Sequence, residues 1–311
     1  MERARWQDVG IDTPVKRAPK MSAVPARTQK ETPRVAFVLG GGGHLGASEV
    51  GMLKALLEND VRPELVVGTS VGALNGAAIA ADPSLSTVTR LREIWLGLDE
   101  DRIFGGSIFA GAANLVRSRT HLHSNQPLRT LLEKLLPAER FEDLRIPFHC
   151  VAASIEKAAE HWFYQGPLVE AILASAAVPG VLPAVEIDGE HFLDGGIVNS
   201  IPISRAVELG ATEIYVLHVG RIEQPLVPPR TPVQVAMVAF EIARRHRFAR
   251  DLATLPAGVV AHVLPTGEPK RETKAQLSEL NYRDFKAVAR RIDRAHRASA
   301  TYLSGAVPAP G

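Results

Sequence analysis

Short apolar runs bounded by glycine and proline alternate along the chain with longer stretches in which apolar positions recur at helical spacing. The first run, Val35-Ala36-Phe37-Val38-Leu39, predicts a strand buried on both faces. Gly40 to Gly43 predicts a loop, and His44 to Glu58, with Val50, Leu53 and Leu57 on one side, predicts a helix. After a short connection at Asn59 to Pro63 the pattern repeats: apolar Val66-Val67, the turn Gly68-Thr69-Ser70-Val71-Gly72, and a second helix. Two successive strand-loop-helix units require a parallel sheet, because parallel neighbours need a crossover and the crossover helix packs on a sheet face. The expected class is α/β, with a central, mostly parallel sheet and helices on both faces.

Helical spacing then dominates from Ser84 to Leu98, more weakly around Ile108 to Arg117, and from Gln126 to Leu136. Between them Ile103-Phe104-Gly105-Gly106-Ser107-Ile108-Phe109 sets apolar residues among glycines, which suits a lid or a buried turn. Strand character returns at Ile146 to Ser154 and His161 to Gln165, followed by a helix from Pro167 to Ala177. Asp188-Gly189 between apolar runs predicts a hairpin, closed by Leu193-Asp194-Gly195-Gly196. A helix from Pro202 to Leu209 and a strand at Glu213 to Val219 complete this part. Beyond Pro225 to Pro232, two basic helices, 233–253 and 277–303, flank a strand at Val259 to Leu264.

Residues 1–33 carry four prolines and scattered charges without a sustained period, and are expected to form a flexible tail. The core is expected over 34–220, and 221–311 as a helical extension of the same domain. Composition changes this picture little: 46% hydrophobic and 23% charged residues are those of an ordinary globular protein. A single cysteine, Cys150, excludes an intrachain disulfide and fits a reducing compartment. The first thirty residues lack the apolar core of a secretory signal, and no span-length apolar run occurs, so a cytoplasmic protein is expected, at most attached to the inner face of a membrane. Net charge is only +2, yet residues 1–30 carry +4 and 241–311 carry +6, leaving −8 in between. Such basic ends attract anionic surfaces, and the same charges also occur on solvated helix faces. Ile242, Phe248, Leu252 and Leu255 among Arg244, Arg245, Arg247 and Arg250 set the same choice: a face for anionic lipid, or a packed helix with its arginines in water.

The chemistry begins at Ser70. In Gly68-Thr69-Ser70-Val71-Gly72 two glycines remove side chains that would crowd a sharp strand-to-helix turn, which leaves a serine hydroxyl exposed at its tip. A helix starting at Val71 aims free N–H groups at charge developing beside that hydroxyl. Gly40-Gly41-Gly42-Gly43-His44-Leu45-Gly46 allows two readings. As a dinucleotide fingerprint it lacks the acidic residue at the end of the next strand, where Gly68-Thr69-Ser70 stands instead. As an oxyanion loop, its glycines let the N–H groups of Gly41, Gly42 and Gly43 converge with that of Val71 on one oxygen. A serine nucleophile also needs a base. His218, His246 and His262 follow in sequence, but no histidine occupies a motif of its own. Asp194-Gly195-Gly196 places a carboxylate beside backbone that can approach another loop, whereas Asp188-Gly189 has ordinary hairpin surroundings.

Together these pieces resemble the patatin-like phospholipase family: Gly40 to Gly46 its oxyanion loop, Gly68 to Gly72 its nucleophile elbow, and Asp194-Gly195-Gly196 its catalytic aspartate motif. Ala174 to Pro179 and Asn199 to Pro202 are similar to its connecting signatures, and the likeness covers about residues 34–220. The resemblance implies a three-layer patatin-like fold and a Ser70-Asp194 dyad without histidine. Gly46, Gly68, Gly72, Gly195 and Gly196 would support the motifs, and no cofactor or metal would take part. It further implies a lipid or lysolipid ester as substrate; the basic ends and C-terminal helices add an expected peripheral contact with an anionic membrane, no nucleic-acid partner is expected, and oligomeric state is left open. One departure is Leu45, where the family loop usually carries Arg or Lys, which puts preference for phospholipid over neutral ester in question; His44 beside it is a weak substitute. Two other readings stand: an esterase with a Ser-His-Asp triad, and a non-catalytic phosphate- or nucleotide-binding protein.

Overall fold

The computed structural model describes residues 34–97, 120–219, 225–268 and 288–305. The expected tail over 1–33, the glycine-flanked segment 103–109, the weak helix at 108–117 and the first part of the last helix lie outside the described residues.

In chain order the elements are β1 (Val35–Leu39), α1 (Ala47–Glu58), β2 (Leu65–Thr69), α2 (Val71–Ala81), α3 (Leu85–Gly97), α4 (Gln126–Leu135), β3 (Phe148–Ser154), β4 (Ala159–Phe163) and α5 (Leu168–Ser175). They continue with β5 (Val185–Ile187), β6 (Glu190–Asp194), α6 (Gly196–Asn199), α7 (Ile203–Glu208), β7 (Glu213–Leu217), α8 (Pro232–Ala253), β8 (Val260–Val263) and α9 (Val288–Leu303). The sheet runs β5-β6-β3-β2-β1-β7-β8, with β4 also on β3. Its middle, from β3 through β8, is parallel, and the antiparallel pairs gather around β3, β4, β5 and β6.

Both faces are buried, so the strands read as continuous apolar runs. Phe37 and Leu39 of β1, Val66 of β2 and Leu217 of β7 enter one core, while Ala36, Val38, Leu65, Val67, Ile214 and Val216 enter the other. The first core is covered by α1, α2, α3, α5 and α9, and the second by α7 and α8, which makes the three layers. α1 is buried around most of its circumference, because α9 closes its outer side. A Cβ added at Gly51 would lie 2.2 Å from the Ile292 carbonyl oxygen, so only glycine admits that approach.

Register at β3 positions the site. β4 pairs with Cys150 to Ser154 along one edge; the other edge is shared by β2, up to Thr69 opposite Val151, and by β6, from Asp194 opposite Ala152. β2 runs parallel to β3 and β6 antiparallel, so their C-terminal ends meet head-on. Asp194 is therefore the last residue of β6, the second strand of the hairpin that Leu193 to Gly196 was expected to close, and it is also paired with β3. The hairpin turn is at Asp188 and Gly189, with φ of 51° and 77°, the pair of positive values that a two-residue turn of this kind requires.

The helix α8 departs from expectation in both directions. Phe248 is buried in the second core, with Leu252 and Leu255 packed against it, so these residues form no lipid-facing stripe. Its arginines are not simply in water either: Arg244 is buried, and Arg247 bridges Glu160 and Asp251. No helix among the described residues is long and apolar enough to cross a membrane.

Candidate functional site

The turn after β2 places Ser70 at φ 55°, ψ −121°, a positive φ in a residue that is not glycine and a strain of about 1–3 kcal/mol. The surroundings hold it there. A Cβ at Gly72 would lie 2.4 Å from the Leu39 carbonyl oxygen, and one at Gly68 would lie 2.5 Å from that of Gly72. The elbow thus folds tightly against the end of β1, where the glycine loop starts.

The head-on ends of β2 and β6 bring the hydroxyl and the carboxylate together. Ser70 Oγ donates to Asp194 Oδ2 at 2.6 Å, and the Gly196 N–H donates to Asp194 Oδ1 at 2.7 Å. Both side chains are buried, at 6% and 5% exposure. Burial raises the Asp194 pKa to about 6, against the lowering effect of the two hydrogen bonds. A carboxyl poised there is ionised at neutral pH and basic enough to accept a proton from a bound hydroxyl.

Ser175 ties the two ends together. Its Oγ accepts the Ser70 N–H at 2.9 Å, its carbonyl accepts the Gly195 N–H at 3.1 Å, and Ala177 accepts the Asp194 N–H at 2.9 Å. Gly195 passes so close to β3 that a Cβ there would lie 2.1 Å from the Val151 carbonyl oxygen. A second clasp runs from Thr69 Oγ1 to the Asn199 carbonyl, 2.8 Å, and from the Gly41 N–H to the Ser200 carbonyl, 2.8 Å. That last bond corrects one expectation: the Gly41 N–H is engaged with Ser200, so Gly41 serves here as a tether and Gly42, Gly43 and Val71 remain as expected donors. Gly43, at φ 57°, opens the short 3-10 turn Gly43–Gly46 that leads into α1, so the helix begins later than His44. Gly46 lets loop and elbow pack, since a Cβ would lie 2.5 Å from Val71 Cγ2.

Two further groups brace the loop. Arg244 of α8, held by Glu241 at 2.9 Å, donates to the carbonyls of Val219 at 3.4 Å and Gly41 at 3.5 Å. Behind the loop, Asn75 Nδ2 donates to Glu49 Oε2 at 2.7 Å and to the Gly46 carbonyl at 3.1 Å, and Trp95 Nε1 donates to Asn75 Oδ1. Burial pushes the Glu49 carboxyl well above the usual range, which favours its neutral form inside the core. Neither brace was singled out from sequence: Glu49 and Asn75 sit in helices of unremarkable pattern, and Arg244 reads as one cation in a basic run. The tether carbonyls of Ser175, Ala177, Asn199 and Ser200, by contrast, lie in the segments similar to the family's connecting signatures.

Asp194 bonds directly to Ser70, at the place where a triad would interpose an imidazole. His218, just past the end of β7, is buried beside Arg244, and desolvation foremost lowers its pKa to about 4. His262 stacks on Tyr215 and contacts Tyr302, and His246 lies on α8. His44 is buried at the loop. Among the described residues no group of three or more His, Cys, Asp or Glu is placed to hold a metal ion. Cys150 is buried in β3, and desolvation raises its thiol pKa.

Compared with known proteins, residues 37–207 match a family model described as Patatin-like phospholipase. A patatin-like phospholipase domain-containing protein of Caenorhabditis elegans is 31% identical over 194 residues, which are 61% of this chain and 14% of that protein. Lysophospholipase nte1 of Aspergillus terreus is 29% identical over 189 residues, 61% of this chain and 12% of that protein. The chain thus matches about one seventh or less of the length of these relatives. Among solved structures, VipD of Legionella pneumophila aligns over 88% of this chain and 67% of its own at 16% identity, with a TM-score of 0.42.

Proposed function

The chain belongs to the patatin-like phospholipase family, and from that premise we propose that it is a serine lipid acyl hydrolase working through Ser70 and Asp194. The observation that carries this reading is the 2.6 Å bond between the two buried side chains, with Asp194 raised to about 6. Asp194 takes the proton of Ser70 Oγ as that oxygen attacks the ester carbonyl carbon, and the N–H groups of Gly42, Gly43 and Val71 face the oxyanion. The proton then passes to the departing alcohol, and the ester bond breaks. In the second half, water gives a proton to Asp194 and attacks the acyl carbon, which releases a fatty acid and returns the proton to Ser70.

A lipid or lysolipid ester suits the approach to the site. Phe240, 40% exposed, reaches within 3.1 Å of where a Gly196 Cβ would stand, and Ile197, Val235 and Ile242 add exposed apolar surface on α6 and α8. We read this surface as the contact with a membrane, in place of the buried stripe at Phe248, and place the protein at the inner membrane face in the cytoplasm. Residues 34–220 form the hydrolase core in this reading and 221–311 an extension of it, supported by α9 packing on α1 and by Arg244 at the glycine loop.

A serine-directed fluorophosphonate is expected to label the parent chain and to leave Ser70→Ala unlabelled, with fatty acid released from a panel of lysophospholipids, phospholipids and acylglycerols by the parent alone. An unlabelled parent that releases no fatty acid would overturn the reading.

A further inference from the structure

We propose that Arg244 is a positioning residue of the reaction, whose guanidinium fixes the Gly41-Gly42 peptide so that the Gly42 N–H faces the oxyanion. This rests on the Ser70-Asp194 reading above, and Arg244 lies outside residues 37–207, the part matched by the family model. Consecutive glycines are the reason a fixing group is needed. With no Cβ on either side, a peptide unit between two glycines turns over at little cost. In a planar trans peptide the carbonyl and the N–H point in opposite directions, so whatever holds the Gly41 carbonyl sets the direction of the Gly42 N–H. Turned over, the same unit would present a carbonyl oxygen to the developing negative charge in place of a donor.

Successive units of the loop are each held. The unit before is fixed by the Gly41 N–H on the Ser200 carbonyl, 2.8 Å, and the unit after by the Gly42 carbonyl, which accepts the Leu45 N–H at 3.2 Å. The unit between them depends on Arg244, whose Nη1 donates to the Gly41 carbonyl at 3.5 Å and, together with Nη2, to the Val219 carbonyl at 3.4 Å. Val219 leads back to the same place, since a Cβ on Gly42 would lie 1.9 Å from Val219 Cγ2. On its other side the guanidinium grips Glu241 at two points, Nε at 2.9 Å and Nη2 at 3.0 Å. A fork that holds a carboxylate on one edge and carbonyls on another is beyond a lysine. Arg244 is buried whereas Gly42 and Gly43 are partly exposed, so substrate reaches the glycines rather than the cation.

The test sets Arg244→Met beside Arg245→Met on a soluble short-chain ester. Glu241 keeps Arg245, at 2.8 Å, in the first variant and Arg244 in the second. In Arg244→Met, kcat is expected to fall about thirtyfold, short of the hundredfold or more that losing a donor outright costs. KM should stay within about twofold, because the lost interaction is made only in the transition state. A trifluoromethyl ketone reports the same site: Ser70 Oγ adds to its carbon, the proton goes to Asp194, and the carbonyl oxygen becomes an oxyanion. The ketone should bind about thirtyfold less well, while the matching secondary alcohol, which forms no oxyanion, binds as before. Arg245→Met should match the parent in each measurement. Arg244→Lys keeps a cation beside Glu241 without the fork; it is expected to show the same losses and carries the test if Arg244→Met does not fold. Unchanged kcat, alcohol binding that weakens as much as ketone binding, an equal fall in Arg245→Met, or loss of the fold in both Arg244 variants would each overturn the proposal. Failure of a fluorophosphonate to label the parent would instead strike the Ser70-Asp194 reading itself.

Discussion

Two Asp-Gly pairs bound β6, Asp188-Gly189 before it and Asp194-Gly195 at its end, and they share little beyond the dipeptide. Asp188 is exposed in a turn with positive φ at both residues. Asp194 is buried, bonds Ser70 and the Gly196 N–H, and has its pKa raised to about 6. Gly189 has open space where a Cβ would go, whereas a Cβ at Gly195 would run into the Val151 backbone. The first glycine is used for its torsion angle and the second for its lack of volume. A carboxylate acquires chemistry from what surrounds it, and the dipeptide only permits the backbone path.

The largest expected difference is in activity. Asp194→Asn should lower ester hydrolysis on the order of a thousandfold while circular dichroism stays that of the parent, because a general base is lost and the shape is kept. Equal loss in Asp188→Asn would break the comparison. In urea denaturation, Gly195→Ala is expected to destabilise by about 3 kcal/mol, since backbone has to shift. Gly189→Ala should cost about 1 kcal/mol, for positive φ alone. A reversed order would mean that the close approach to Val151 is relieved without cost.

Asp194 also sets a pH dependence. Its folded pKa, about 6, exceeds the usual 3.8, so the folded state binds the extra proton and stability falls as pH rises between these values, by about 3 kcal/mol in all. Asp194→Asn lacks this loss; its stability relative to the parent should therefore increase from pH 4 to pH 6 and level off above. Activity of the parent should rise over the upper part of the same range as the base ionises. A flat difference between the two proteins would show that burial does not raise this group. The smallest effect is that of Asp188→Asn, within about 0.5 kcal/mol in stability, as for an exposed surface site.

What was legible in the sequence was local. Apolar runs, glycine pairs and helical spacing along residues 35–81 lead directly to two βα units, because each is built from contacts within a few dozen residues. The elbow at Ser70 and the loop at Gly40 to Gly46 follow from the same pattern, and Asp188-Gly189 declares its turn by its own torsional demands. The family resemblance then supplied Asp194 as the partner, which spacing alone left open between a carboxylate and a histidine.

What only the tertiary structure decided is how separate segments meet. Ser70 and Asp194 touch because β2 and β6 share one edge of β3, a register that no single segment specifies. The Gly41 N–H is taken by Ser200, 159 residues on, and the Gly41 carbonyl by Arg244 from a helix whose charges suggested a solvent or lipid face. Leu45 leaves the glycine loop without a cation of its own, and the structure brings a guanidinium to that loop's backbone from the other core layer. Pattern along a chain records which face of an element is apolar; it does not record which distant backbone carbonyl a buried arginine or serine will meet, because that depends on strand order and on the packing of layers against one another.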